Sequence, residues 1–266
     1  MLATAGFVQS ENDFEVKQNA DNTLAITKYN GAATDVVIPS ALHGLKVTII
    51  GDDAFCDKNL TNVVIPNTVT HIGGYAFANN NIKELVLPAR LKEIDKGAFK
   101  NNQIRALIIP NGVTVIKSLV FSTNEHGARK YYNEGAFDGN PLEFISIPVS
   151  LAKLDKNRSN SWSWSDDGHY FLTAGIDYNT FGDDEETGDK YTPDCIILPA
   201  VMDEWHIKGF FEEGLADFYE SQNKAAGGYI KRGSLWTKAS AAETNKVESP
   251  TKSHFQKLPP NGFLRN

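Results

Sequence analysis

The chain has 266 residues, with 26 Lys+Arg against 33 Asp+Glu and a net charge of -7. Hydrophobic residues make up 41% and aromatics 11%, enough for a packed core, so wholesale disorder is excluded. The acidic balance argues against nucleic acid or an anionic membrane as the main partner. Two cysteines build neither a disulfide scaffold nor a four-cysteine zinc site.

Met1–Phe7 lacks the basic and apolar stretches of an export signal, and residues 1–11 are expected to be loose. Phe14, Val16, Leu24 and Ile26 then alternate on either side of Asp21-Asn22, which predicts a hairpin. Residues 1–33 are read as this segment, with the hairpin capping the repeats C-terminal to it.

The central part of the chain is a repeat. Phe55, Phe77 and Phe99 stand 22 apart, each preceded by Ala, and Phe121 comes after another 22. Ile65-Pro66, Leu87-Pro88 and Ile109-Pro110 keep the same beat, and so do Ile50, Ile72, Ile94 and Ile116. Asn80 and Asn102 occupy one further column. A 22-residue unit has too few apolar residues to form a core alone. Stacked on its neighbours, it buries them in continuous columns. Pro ends each strand because it offers no N–H to the ladder, and the Asn amide bonds backbone in the turn and its equivalent one coil on. In Val63-Val64-Ile65 and its successors the first and third residues face the core and the middle one faces out.

The solenoid is placed at 34–154, with an insertion at 122–135 after Phe121, resuming at Ala136-Phe137. A second insertion, 155–193, is rich in aromatic and acidic residues. Ile196-Ile197-Leu198-Pro199, with Met202, Trp205 and Phe210, restores the beat as a sixth unit. Phe211, Leu215, Phe218 and Tyr219 recur at helical spacing, and Tyr229-Ile230 and Leu235-Trp236 flank a turn, so 194–238 is read as last repeat and closing cap. Residues 239–266, with Pro250 and Pro259-Pro260, are expected to be a mobile tail. No run approaches the length of an apolar membrane span.

The units LTNVVIPNTVTHIGGYAFANNN through IIPNGVTVIKSLVF resemble the BspA-like leucine-rich-repeat family of bacterial surface proteins. The opening FEVKQNADNTLAITKYNG and the closing FFEEGLADFYESQNKAAGGYIKRGSLWTK resemble that family's first and last segments. The resemblance covers roughly 12–150 and 194–238. It implies a mostly-β, right-handed leucine-rich-repeat solenoid of about six coils, capped at both ends and displayed on or secreted from a bacterial cell, with the signal absent from this sequence. It implies a non-enzymatic role with no cofactor: adhesion to host matrix proteins or to other cells.

The residues offer several candidate sites. The outward column Val37, Val64, Val86, Ile108, Ser146 and Ile197 predicts an exposed β-branched stripe, flanked by Asn62 and Glu84. Such patches mark partner surfaces, although β-branched residues also simply favour strands. The first insertion brings Tyr131 and Tyr132. The second brings Trp162 and Trp164, which share one face of an extended run and can anchor a protein or stack on a sugar. The alternative functions are therefore a carbohydrate-binding protein or a structural spacer. An acidic loop at Asp183–Asp189 lacks the spacing of a calcium loop. Cys56 and Cys195 lie coils apart, too far for a disulfide. His71 occupies a column filled elsewhere by Glu93 and Val115, which reads as a position of free choice. No nucleotide, hydrolase or zinc-protease motif is present.

Overall fold

The computed structural model describes residues 9–117, 119–123, 129–152, 162–164, 169–172, 195–198, 213–232 and 234–243. The chain is a mostly-β solenoid. The 22-residue beat becomes a stack because each coil hands one backbone bond to the next at the Ala–Phe turn. Tyr29 N–H donates to Ala54 C=O, Phe55 to Ala76, Phe77 to Ala98 and Phe99 to Ala136, all at 2.7–2.8 Å. Above these bonds the rings form one column. Phe55–Phe77 centroids are 5.0 Å apart, Phe77–Phe99 5.2 Å and Phe99–Phe137 5.4 Å, each pair stacked.

The fourth place in this column belongs to Phe137. Phe121, which continues the numerical beat, lies in a hairpin of strands Leu119–Thr123 and Arg129–Glu134. The insertion therefore leaves the coil soon after Ile116, earlier than the sequence boundary at 122, and Ala136-Phe137 completes the turn. The correction has a physical cause. The Phe99 N–H takes the Ala136 carbonyl and Asn140, three residues past the Phe137 ring, bonds both Phe99 C=O and Phe137 C=O, whereas Val120 stands where the turn before Phe121 would need Ala.

The Asn column is fully buried. Asn102 Nδ2 donates to Phe77 C=O (2.9 Å) and Phe99 C=O (3.0 Å), while its Oδ1 accepts from Ile82 N–H (3.1 Å). Asn80 and Asn140 repeat this arrangement on their own coils. Each buried amide thus ties its own turn to the backbone of the preceding coil. It does not meet its equivalent Asn, as the sequence reading expects. That ladder exists one residue earlier, where Asn101 Nδ2 donates to Asn79 Oδ1 at 2.9 Å. Asn79 and Asn101 have positive φ, as do Asp57 and Gly139 in the same column. Asn, Asp and Gly are the residues that tolerate this left-handed turn. At Gly139 a Cβ would also strike the Asn101 side chain.

Two strand positions recur per coil. One series is Leu45–Ile50, His71–Ile72, Glu93–Ile94 and Val115–Ile116, paired in parallel, with Ile50, Ile72, Ile94 and Ile116 fully buried. The hairpin Phe14–Gln18/Leu24–Tyr29 joins its first strand, and Phe14 and Tyr29 extend the ring column beyond Phe55. The other series pairs Asp35–Val37 with Asn62–Val64, and separately Ala106–Ile108 with Phe144–Ser146 and Cys195–Leu198. The coil between them, Glu84–Val86, forms no strand, so the ladder expected to run unbroken is interrupted there. Its alternation persists, with Leu85 and Leu87 buried.

Gly227–Arg232 and Leu235–Lys238 extend the sheet beyond Cys195–Leu198 as antiparallel neighbours, and helix Glu213–Ser221 buries Leu215 and Tyr219 beside them. At the other end, the described part of the segment expected to be loose, residues 9–11, enters an ordered turn: Ser10 caps Glu11–Asp13 in a reciprocal capping box. Met202, Trp205, Phe210, Phe211, the Asp183–Asp189 loop and residues 244–266 lie outside the described residues.

The ring column predicts a mutational contrast. Phe137→Ala empties a fully buried site and costs about 3–5 kcal/mol of unfolding free energy, whereas Phe121→Ala costs clearly less. Urea denaturation of the two variants, compared with wild type, checks which Phe completes the fourth turn.

Candidate functional site: the outer columns and the inserted sheet

The predicted stripe is built by strand register. Val37 stands opposite Val64, Ile108 opposite Ser146, and Ser146 opposite Ile197. On either side of each, Val36 and Ile38, Val63 and Ile65, Leu85 and Leu87, Leu107 and Ile109 point into the core. Val64, Val86 and Ile108 are half-buried because neighbours above and below shield them. Val37, on the end coil, is 39% exposed. Asn62 is half-buried and Glu84 exposed beside them.

The two insertions, separate in sequence, form one sheet. Leu119–Thr123 pairs with Arg129–Glu134 on one side and with His169–Leu172 on the other, and Trp162–Trp164 completes the four strands, all antiparallel. Tyr131 and Tyr132 lie on one edge strand, Trp162 and Trp164 on the other. In register, Tyr131 faces Phe121, Phe121 faces Tyr170, and Tyr170 faces Trp164. This row of four aromatic residues was not legible from the insertions taken one at a time.

A third grouping was missed at the sequence level. His71, read as a position of free choice, lies next to two carboxylates from the following coil. Its Nδ1 is 3.4 Å from Glu93 Oε2 and its Nε2 3.4 Å from Asp95 Oδ2. The Lys117 ammonium, one coil further, contacts Glu93 and lies 2.9 Å from Asp95 Oδ1. Register explains the meeting, since His71 stands opposite Glu93, and Glu93 opposite Val115. Asp95 and Lys117 lie two residues along, on the same side of an extended chain. Aligning that second column beside the first was the signal available in the sequence.

One imidazole and two carboxylates are a ligand set suited to a first-row divalent ion. Here the Lys117 ammonium already sits against both carboxylates, and a protonated His71 brings the group to neutrality. The hydrogen bonds that His71 donates to Asp95 and then to Glu93 raise its pKa to about 9, and the His71 bond, ahead of Lys117, holds Glu93 at about 2. Elsewhere, burial and the neighbouring Asp57 push the Cys56 thiol up to about 12, which leaves it a poor nucleophile at neutral pH.

The BspA-type leucine-rich-repeat region model matches residues 48–161 in six copies. The chain belongs to the BspA-type leucine-rich-repeat family. Among solved structures, a leucine-rich repeat protein from Bacteroides capillosus is similar at 30% identity, over 40% of this chain and 83% of that one, with a TM-score of 0.37. A leucine-rich cell surface protein from Faecalibacterium prausnitzii is similar at 24% identity, over 72% and 63% of the two chains, with a TM-score of 0.34. The leucine-rich repeat protein of T. pallidum is similar at 22% identity, over 54% and 72%, with a TM-score of 0.40. None of the curated proteins matches. No helix among the described residues of this BspA-type chain is long and apolar enough to cross a membrane.

The charged group gives the chain a defined pH response. His71 has a raised folded pKa, so its contribution is complete below its ordinary value of 6.5 and is lost as pH rises through about 9. Glu93 is depressed, so its contribution is complete above 4.5 and is lost as pH falls through about 2. Stability is therefore expected to decline between pH 6.5 and 9 in thermal melts, and His71→Gln removes that decline. At pH 6 the same substitution costs roughly 1.5–3 kcal/mol, the scale of a hydrogen bond to a charged group.

Proposed function

We propose that this chain is a non-enzymatic binding module displayed at or secreted from a bacterial surface, where it captures a protein on a host matrix or on another cell. The observation that carries the reading is the apolar column. Val37, Val64, Val86 and Ile108 recur once per coil on the outside of a stiff stack, with Asn62 and Glu84 beside them. A spine of stacked rings keeps such a column from rearranging, so little ordering cost is left for the moment of binding. Lone apolar residues on a surface are ordinary, but a straight series at coil spacing is a continuous strip for a partner. Membership in a family of repeat proteins and likeness to a protein named as a cell surface protein support the location.

The inserted sheet supports a second reading, carbohydrate binding. Aromatic rings can stack on sugar faces, and here Tyr131, Phe121, Tyr170 and Trp164 lie in one register row, with Trp162 on the same edge strand as Trp164. The first reading needs the solenoid face and the second needs the sheet, so one pair of variants separates them.

Val64→Glu combined with Val86→Glu places two charges on the column while leaving the buried Val63 and Leu85 in place. Folding by circular dichroism is expected to stay nearly unchanged, and capture from a panel of host matrix proteins to fall at least tenfold, roughly 1.4 kcal/mol or more. Unchanged capture would remove the column from the binding surface. Trp162→Ala is expected to leave protein capture intact; loss of signal on a glycan array with that variant would favour the sugar reading instead.

A further inference from the structure

Among the described residues, the outer strand of the first coil, Asp35–Val37, has a neighbouring strand on one side only. Thr34 C=O and Ile38 N–H point inward to the strand Asn62–Val64, where Ile38 N–H donates to Val64 C=O at 3.0 Å. The intervening groups, Asp35 C=O and Val37 N–H, point the other way. No strand pairs there among the described residues. A side chain does. Gln9 Nε2 donates to Asp35 C=O at 2.7 Å, and Gln9 Oε1 accepts from Val37 N–H at 2.9 Å.

This pattern has a specific meaning. In a parallel pair, one residue of the neighbouring strand donates its N–H to residue i−1 and accepts from residue i+1. The Gln9 amide makes both of those bonds around Val36. One primary amide stands in for one residue of the next parallel strand.

Among the described residues, the opposite end of the same ladder series is also a strand edge. From Cys195–Leu198 the sheet continues through Gly227–Arg232 and ends at Leu235–Lys238, both junctions antiparallel. Two reversals return the last strand to the direction of the ladder. A second copy displaced along the solenoid axis would therefore bring Leu235–Lys238 alongside Asp35–Val37 in the parallel sense that Gln9 imitates. The apolar residues agree with that placement. Val37 is 39% and Leu235 69% exposed, two of the three large hydrophobics most open to solvent among the described residues. With Trp236 in the place opposite Val36, the buried faces of the two strands coincide and Leu235 falls beside the Asp35–Val37 edge.

We infer that Asp35–Val37 is a strand-addition site for the Leu235–Lys238 edge of a second copy, and that Gln9 is the gate that keeps it closed. The contact is head-to-tail, so each copy added leaves a new open edge, and the product is a chain of copies rather than a closed dimer. Edge strands left bare are the usual origin of such association.

The test is sedimentation across a concentration series. Wild type is expected to stay monomeric. Gln9→Ala is expected to associate with rising concentration, taking the weight-average mass to roughly twice that of the monomer or beyond, as an open head-to-tail contact requires. Gln9→Glu keeps the size of the side chain but has no N–H for Asp35, and is expected to behave likewise. Adding Leu235→Lys to Gln9→Ala is expected to restore the monomer, with circular dichroism confirming that each variant is folded. Gln9 variants that remain monomeric at every concentration overturn the gate. Assembly that Leu235→Lys leaves unchanged overturns the assigned edge.

Discussion

The backbone bond from each spine Phe to the Ala carbonyl of the next coil is the constraint on which the other features depend. It sets the coil separation, and the rings fill the space that this separation leaves. Stacked aromatic pairs contribute on the order of 0.5–1.5 kcal/mol beyond their buried area. The larger effect is that each ring closes the core for both neighbours. A coil alone cannot do this, so stability propagates along the stack by nearest-neighbour contact. The buried Asn amides work on the same junction. Each satisfies backbone groups of two turns that would otherwise be orphaned inside the stack, where an unpaired polar group is costly.

Because the constraint is local to the turn, the chain can leave the coil and return. The hairpin Leu119–Glu134 departs after Ile116 and comes back before Ala136 without disturbing the bond from Phe99. Lengthening a loop costs little entropy once its ends are fixed, and here Ile116 and Ala136 are fixed by their own columns. The excursion then pairs with strands from the second insertion. Two tolerated interruptions become one added surface, because each supplies strands that the other can cover.

Much of this was legible in the sequence because a repeat multiplies weak signals. One Ala-Phe means little, but three at equal spacing define a column. The same arithmetic misled at Phe121, which keeps the count but not the chemistry. Val120 stands where the turn wants Ala, and Asn124 alone echoes the Asn column. Demanding all the turn residues together selects Ala136-Phe137 and Asn140 instead. The His71 group escaped notice because its members belong to two columns, and each column looked unselective by itself. The union of the insertions was beyond reach, since strand pairing between 119–123 and 169–172 leaves no periodic trace in either segment. The break at Glu84–Val86 likewise has no sequence counterpart: its Leu-Val-Leu is as apolar as the strands on either side.

A stack with fixed spacing also divides its outside into surfaces of different character. On one face the outer residue is β-branched and apolar from Val37 through Val64 and Val86 to Ile108, with Ser146 the first polar member. On the other it changes at every step, from Ile49 to His71 to Glu93 to Val115, and the charged members neutralise one another locally with Asp95 and Lys117. A charge-balanced group projects little field beyond its neighbours, so it shapes stability more than it attracts a partner. The apolar strip has no such internal compensation, and whatever covers it must come from outside the coil. The Val64 face is therefore the one suited to the proposed capture of another molecule, and the His71 face the one that carries the pH dependence, although both are produced by the same 22-residue rule.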